Sequence, residues 1–478
     1  MLTIDFDNSY ARELEGMYLP QQGAKAPDPA MAWLNVALAQ ELRLDPDTLA
    51  STEGLAMLSG SAMPAGAEPL AMAYAGHQFG GFSPQLGDGR ALLVGEVIDM
   101  DGARRDIHLK GSGKTPFSRG GDGKAALGPV LREVLIGEAM HGLGIPTTRA
   151  LAAVTTGETV WRETPLPGAV LARVASSHLR VGTFQFFYAR QESERLRRLA
   201  DYAIDRHFPE LAGTTDRYLG FYHAVIARQM ALLAQWMGVG FVHGVMNTDN
   251  CTISGETIDY GPCAFLDAHD TQQVFSSIDT QGRYAYANQP LLARWNLARL
   301  GETLMQLIAP ENPEAALPEV QSALESAEIR YATLRRKKFG AKLGVTSADD
   351  ALIDGFLDML TAQSADFTQA FRKLGEAARG DEGPLVAHLG SDPRLVEWLD
   401  AWRAQLDTPE KMDSVNPIYI PRNHRVEEAL TAAQEGNMAP FTRLLAAVSD
   451  PFTRREGFED LETPAPAGSG EYVTFCGT

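Results

Sequence analysis

Apolar positions recur along this chain with two spacings, a short one suited to strands and a longer one suited to helices. ALLVGEVI from Ala91 and RDIHLK from Arg105 read as strands joined by the Asp101-Gly102 turn, which predicts a hairpin. KAALGPVLREVLIGEAMHGLGI follows, and its Val130, Leu131, Val134, Leu135 and Ala139 fall on one face at helical spacing. GAVLARVA, from Gly168, reads as one more strand. The helical spacing then dominates. RYLGFYHAVIARQMALLAQWM predicts a long helix ending at Gly238. PLLARWNLARLGETLMQLI, EVQSALESAEIRYATLRRKKFG, DDALIDGFLDMLTAQSADFTQAFRKLGEAA and RLVEWLDAWRAQL each read as helical. The first sixty residues mix the helical pattern MAWLNVALAQELRL with Pro/Gly-rich loops. NPIYIPRNHRVEEALTAAQEGN holds a last helix, followed by irregular chain.

The expected fold is therefore α+β: a small strand-rich lobe over residues 1–172 and a large helical lobe over 173–478, the layout of a protein-kinase fold. A chain of 478 residues has room for two lobes, and 45% hydrophobic with 22% charged residues suits a soluble globular enzyme. No apolar run reaches the ~18–20 residues that cross a bilayer, and the N-terminus lacks a basic start followed by an apolar run. The expectation is a cytoplasmic protein with no membrane partner. A formal charge of -19 argues against a nucleic-acid polymer as partner, yet leaves room for a nucleotide, which needs only a local cluster of cations. Three cysteines are too few for a disulfide scaffold, and His243, Cys251 and Cys263 lack a recognised zinc-ligand spacing.

Several residues carry candidate chemistry in a telling order. Gly87-Asp88-Gly89-Arg90 precedes the first strand of the hairpin; such turns let backbone N–H groups approach phosphate, although taken alone this one reads better as a plain β-turn. Lys110 ends the second strand, where a lysine can reach phosphates if a helix carboxylate holds it. Glu133 is the candidate holder and Glu138 the alternative. Each taken alone reads as a solvated surface residue; the order glycine turn, strand lysine, helix glutamate favours a site. HGVMNTDNCTISGETIDYGP, from His243, matches the kinase catalytic loop H-R-D-x-x-x-x-N followed by D-F-G. Counting back from Asn250 places His243 on the histidine and Val245 where the proton-accepting aspartate belongs. Asp259-Tyr260-Gly261 takes the metal-binding position, so Asn250 and Asp259 supply the hard oxygens that Mg²⁺ prefers. Asp249, next to Asn250, is a displaced acid; a carboxylate near its ordinary pKa is only a modest base. A turn-forming loop accounts for the composition but not for the upstream set. Arg173 and Arg180 form a pair suited to terminal phosphates, and Lys114, Arg119 and Lys124 add charge near Asp122-Gly123.

YAGHQFGGFSPQLGDGRA, LKGSGKTPFSRGGDGKA, HGVMNTDN, IDYGP and NPIYIPRNHRVEEA resemble the selenoprotein O family, also called YdiU or UPF0061, and the resemblance covers nearly the whole chain. It implies a protein-kinase-like (pseudokinase) fold acting as a protein adenylyltransferase. ATP lies reversed relative to kinases, and AMP passes to Ser, Thr or Tyr hydroxyls with release of pyrophosphate; some members use UTP and Mn²⁺. It further implies nucleotide contacts from Gly87, Gly89, Arg90, Lys110, Asp122, Gly123, Arg173, Arg180 and Asp259, with Glu133 paired to Lys110. Asp249 matches the proton acceptor, and Asn250 and Asp259 match the ligands of Mg²⁺ or Mn²⁺. Cys476 fits the family's cysteine near the C-terminus. The segment TQQVFSSIDTQGRY, where some bacterial members carry a partner cysteine, has none. Two other functions fit the same residues: a kinase-type phosphotransferase using Asp249, and a nucleotide-binding scaffold without catalysis.

Overall fold

A strand with one apolar and one charged edge needs two different surroundings, and the sheet of this protein supplies them. The computed structural model describes residues 3–390, 392–466, 468 and 472–474. Its strands are β1 (Tyr18–Pro20), β2 (Ala30–Leu34), β3 (Leu70–Met72), β4 (Gly76–Gln78), β5 (Gly81–Ser83), β6 (Ala91–Ile98), β7 (Arg104–Lys110), β8 (Ala125–Ala126), β9 (Arg149–Trp161), β10 (Pro165–Ala175), β11 (Phe241–Val242) and β12 (Ala264–Phe265). The main sheet runs in the order β1-β3-β6-β7-β10-β9-β2, with β8 added to β10, and its pairings are antiparallel. The expected hairpin is β6–β7, in which Ala91 pairs with Lys110 and Glu96 with Asp106.

Period-two alternation sorts β7 into two sets. Ile107 and Leu109 join Leu92, Val94, Val170, Ala172 and Val174 in a core with Leu38, Leu49, Met57 and Leu58. Asp106, His108 and Lys110 point the other way, toward the helical part, and all three are buried. Buried charges persist only when paired, and these are. His178 donates to Asp106 from its backbone N and its Nδ1, both at 2.9 Å, and Arg206 pairs with the same carboxylate. Glu96 accepts from the backbone N–H groups of Ser9 at 2.9 Å and Tyr10 at 2.7 Å.

Beyond the sheet the chain is helical. The helix Leu127–Gly142 packs by Val130, Leu131, Val134, Leu135 and Ala139, as its pattern predicts, against the sheet and the helices Asn423–Gln434 and Ala439–Val448. The long helix Arg217–Val239 crosses the largest core and ends one residue later than expected. Gly240, at φ +70°, takes the left-handed cap. Its C-terminus delivers the chain through β11 into the 243–262 loop.

Two elements differ from expectation. MAWLNVALAQELRL opens as β2, drawn into edge pairing with β9, and becomes helix only after Asn35, whose side chain accepts from Leu38 N at 3.1 Å. Tertiary pairing outweighs local helical preference there. DDALIDGFLDMLTAQSADFTQAFRKLGEAA is two helices, Asp350–Ala362 and Phe367–Ala378; Asp366 caps the second by accepting from Gln369 N at 2.7 Å. The strand β10 contains both residues 172 and 173. Near the C-terminus Thr474 pairs with Ser276, and its Oγ1 donates to the Pro262 carbonyl at 2.9 Å. Cys476 lies outside the described residues.

Candidate functional site

A cleft of about 840 Å³ opens between the charged face of the sheet and the 243–262 loop. Its lining includes every predicted site residue: Gly87, Gly89, Arg90, Lys110, Asp122, Gly123, Glu133, Arg173, Arg180, Asp249, Asn250 and Asp259. The centre is Asp259. It sits at φ +63°, a left-handed conformation unusual for a non-glycine residue, which turns its carboxylate back toward the sheet. Lys110 Nζ and Arg173 Nη1 each reach Asp259 Oδ1 at 2.7 Å, and Arg180 Nη1 lies 3.6 Å from Oδ2. Burial alone would raise the Asp259 pKa, but Lys110, Arg173 and Arg180 together hold it well below the usual carboxylate range. Lys110 also pairs with Glu133 Oε1, as expected, while the alternative, Glu138, is taken by Arg149.

The strand arginine is held from behind. Arg173 pairs with His108 across β10 and β7, and its Nε donates to His108 Nδ1 at 3.2 Å. That leaves His108 Nε2–H to donate to Asp88 Oδ2 at 3.1 Å, and Asp88 Oδ2 also accepts from Met72 N at 3.0 Å. Burial lowers the His108 pKa further than Asp88 raises it, so the ring is neutral. Burial pushes Asp88 up, yet His108 and Arg180 outweigh it, and the carboxyl stays ionised. Arg180 lies over the Tyr74 ring at 4.3 Å and donates to the Asp249 carbonyl at 3.1 Å.

The glycines of the predicted phosphate turn have a packing cause. A Cβ on Gly87, at φ +71°, would sit 2.3 Å from Phe117 Cγ, and one on Gly89 2.8 Å from the Phe117 carbonyl oxygen. A second glycine-rich loop, residues 111–124, thus lies directly across the first, tied by Thr115 Oγ1 donating to the Asp88 carbonyl at 2.6 Å. Asp122 holds Arg162 through two bonds, 2.8 and 3.2 Å. Among the described residues no carboxylate pairs with Arg90.

Asp249 lies at the opposite wall. Burial raises its pKa to about 6, against the lowering effects of backbone hydrogen bonding, Arg180 and Gln78. It is therefore a stronger base than the ordinary carboxylate the sequence suggests. Its Oδ2 accepts from Gln78 Nε2 at 3.2 Å, whereas its buried Oδ1 has no hydrogen-bond partner. Gln78 comes from the β4–β5 hairpin, and the same hairpin grips the catalytic-type loop twice more. His77 N donates to Thr248 Oγ1 at 2.7 Å and Phe79 N to Asn247 Oδ1 at 3.2 Å. Asn250 Nδ2 donates to the Val245 carbonyl at 3.0 Å, so its oxygen is the atom left for a cation. Among the described residues no three His, Cys, Asp or Glu side chains gather as a metal cage. A cation held by Asn250 and Asp259 would therefore draw its other ligands from phosphate and water, as Mg²⁺ does. His243 is spent on the Ile258 carbonyl at 2.9 Å and stacks on Trp236. Burial pushes the Cys251 thiol up to about 12 and the Cys263 thiol up to about 11.

Sequence reasoning missed His108 as a holder of Arg173, Gln78 on Asp249, and Arg162 on Asp122. Only the first had a signal: two residues before Lys110 in a strand means the same face. Three cations gathered on one acid, with a second acid nearby in the same cleft, suit a polyanion carried with a hard cation. Comparison with known families matches residues 1–449 to the family described as protein adenylyltransferase SelO. Over 484 residues and the full length of both chains, the protein is 59% identical to the protein nucleotidyltransferase YdiU of Cereibacter sphaeroides. It is 54% identical over 484 residues to the protein of that name from Mycolicibacterium smegmatis (99% of this chain, 98% of the relative) and 53% over 485 residues to that of Pseudarthrobacter chlorophenolicus (100% and 99%). The chain belongs to the SelO family, enzymes of nucleotidyl transfer onto protein. Among the described residues no helix is long and apolar enough to cross a membrane.

Proposed function

We propose that this chain, on a protein-kinase-like (pseudokinase) fold of two lobes meeting near residues 172 and 173, transfers AMP from ATP, or UMP from UTP, to Ser, Thr or Tyr hydroxyls of proteins in the cytoplasm. The observation that carries this reading is the convergence of Lys110, Arg173 and Arg180 on Asp259, with the Asp249 carboxylate bonded not to these cations but to Gln78. The kinase-like reading rests on the order hairpin lysine, helix glutamate and loop aspartate, joined as Lys110–Glu133 and Lys110–Asp259.

In this proposal the β- and γ-phosphates take the three cations and the α-phosphorus faces Asn250 and Asp259. Arg90, Gly87, Gly89, Asp122 and Gly123 meet the rest of the nucleotide. A divalent ion, Mg²⁺ or Mn²⁺, on Asn250 Oδ1 and Asp259 supplies charge neutralisation at the phosphate oxygens. The acceptor hydroxyl oxygen bonds to the α-phosphorus, the bond to the bridging oxygen breaks, and pyrophosphate leaves with the electron pair. Asp249, ionised above pH 6, accepts the hydroxyl proton. Negative charge grows on the departing pyrophosphate, where Lys110, Arg173 and Arg180 stabilise it most.

The test compares ATP labelled at the α-phosphorus with ATP labelled at the γ-phosphorus. Label in protein from the α position alone is expected. Label from the γ position overturns the reading in favour of a phosphotransferase, which the Lys110–Glu133 pair would equally serve. Nucleotide bound without metal-dependent turnover would leave only a scaffold.

A further inference from the structure

The β4–β5 hairpin is built against the grain of its own sequence. Gln78 pairs with Gly81, so Phe79 and Gly80 form the two-residue turn, with φ of +51° and +86°. Two successive positive-φ residues are the pattern of a type I′ turn, whose first position favours Asn, Asp or Gly. A bulky aromatic there is strained, and this one is also 40% exposed, with Phe82 beside it at 42%. Strain of this kind persists where the surroundings fix it and a function uses it. The fixing is plain: His77, Gln78 and Phe79 are each bonded to the loop that carries Asp249, and Phe79 N also donates to Tyr284 OH at 3.1 Å.

The direction of the aromatic is informative too. Phe79 lines the mouth of the same cleft as Asp249, with the exposed Ile278. The guanidinium of Arg283 lies beside the turn, close enough that a Cβ on Gly80 would be 3.7 Å from its Cζ. Among the described residues the Arg283 guanidinium has no carboxylate partner, its Nε is buried without a hydrogen bond, and its Cζ lies 5.2 Å from the Trp295 ring centre. In a chain of net charge -19 a guanidinium without a carboxylate partner, set beside this turn, stands out.

We propose that the hairpin, with Arg283, is the docking platform for the acceptor polypeptide. It selects a hydroxyl residue flanked by a bulky apolar side chain, which meets Phe79 and Phe82, and by a carboxylate, which pairs with Arg283. The proposal deepens the transfer reading above and rests on it: an acceptor whose hydroxyl reaches Asp249 must pass over the element that holds Gln78 against that carboxylate. Apolar contact and an acid recognised by arginine are the chemistry a folded or extended protein segment offers.

The test uses two synthetic peptides with a single tyrosine each, one with leucine and glutamate beside it and the other with serine and glutamine. Transfer of α-label, read as kcat/KM, is expected to favour the first peptide by about tenfold or more, the worth of one apolar contact. Phe79→Asn suits the turn better than phenylalanine does, so the hairpin is retained. It is expected to erase the apolar part of that preference while nucleotide affinity stays unchanged, and Arg283→Gln is expected to erase the acidic part. Equal labelling of the two peptides by the wild type overturns the proposal. So does a Phe79→Asn variant that keeps the full preference, or label that enters the enzyme itself and neither peptide. No label in peptide or enzyme overturns the transfer reading, and the platform falls with it.

Discussion

Replacing Gly76 by alanine tests the placement of Asp249 without touching a charged group. A Cβ at this position would lie 2.4 Å from Asp249 Oδ1 and 2.9 Å from its Cγ, where ordinary contact begins at 3.4 Å. The carboxylate must therefore retreat by roughly 1 Å (3.4 less 2.4). The third nearest atom, Leu86 Cδ1 at 2.9 Å, is also a side-chain end. Such overpacking costs about 1–3 kcal/mol. At an unfolding entropy of ~2.1 cal/mol/K per residue, a chain of this length loses about 1 °C of Tm per kcal/mol. A misplacement of about 1 Å at a reacting group lowers turnover by about a hundredfold. The expected result is a near-normal Tm, unchanged nucleotide affinity by calorimetry, and a kcat about a hundredfold lower for transfer to the leucine–glutamate peptide. A Gly76→Ala enzyme with kcat within about threefold of wild type and an unmoved Tm would refute the placement of Asp249 as the group receiving the proton.

Further outcomes test the neighbouring residues. Asp259→Ala leaves Lys110, Arg173 and Arg180 crowded without their carboxylate, and transfer is expected to fall at least about a hundredfold with a lowered denaturation midpoint. Because Asp249 must be ionised to accept a proton, the transfer rate is expected to rise about tenfold per pH unit below 6 and to level off above it, a limb that Asp249→Asn removes. The same shift affects stability with the opposite sense. Its folded pKa, about 6, exceeds the unfolded value, so the stability it contributes is complete below the unfolded pKa and is lost as pH rises through 6. Nucleotide-free Asp249→Asn in chelator is therefore expected to exceed wild type above pH 6 by up to about 3 kcal/mol, the gap closing in acid. His108→Leu orphans Arg173 Nε and leaves Asp88 Oδ2 with Met72 N as its remaining donor, and urea denaturation should show a loss of about 1–3 kcal/mol. A loss under about 0.5 kcal/mol would contradict the neutral, bridging role of the ring.

The parts of the site that were legible are those written into short segments. Asp101-Gly102 announces the hairpin, period two puts Lys110 on a definite face, and the helix after it brings Glu133 within reach. Asp259 could be located because nine residues from Asn250 is a spacing within one loop. What lay outside local reading depends on pieces far apart in the chain. The pKa of Asp249 is raised by burial, and its carboxylate is held by Gln78, 171 residues away. Glu96 looks like any strand glutamate until the N–H groups of Ser9 and Tyr10 close on it. MAWL carries a helical pattern yet is claimed as an edge strand by β9, a partner more than a hundred residues later. Gly87 and Gly89 were read as making room for phosphate, and the nearest cause of their small size is the Phe117 loop.

The triple pairing of Lys110, Arg173 and Arg180 with Asp259 has a thermodynamic corollary. On the proposed reading these charges satisfy one another, and a triphosphate gains the cations only by dislodging the carboxylate. That carboxylate, once freed, needs a counter-ion, and a divalent metal is the natural one. Metal and triphosphate accordingly lower each other's dissociation constant by the same factor, as linkage demands. A free phosphate or an unaccompanied ion finds its half of the bargain already taken, and the resting cleft is thereby shielded from the abundant small anions around it.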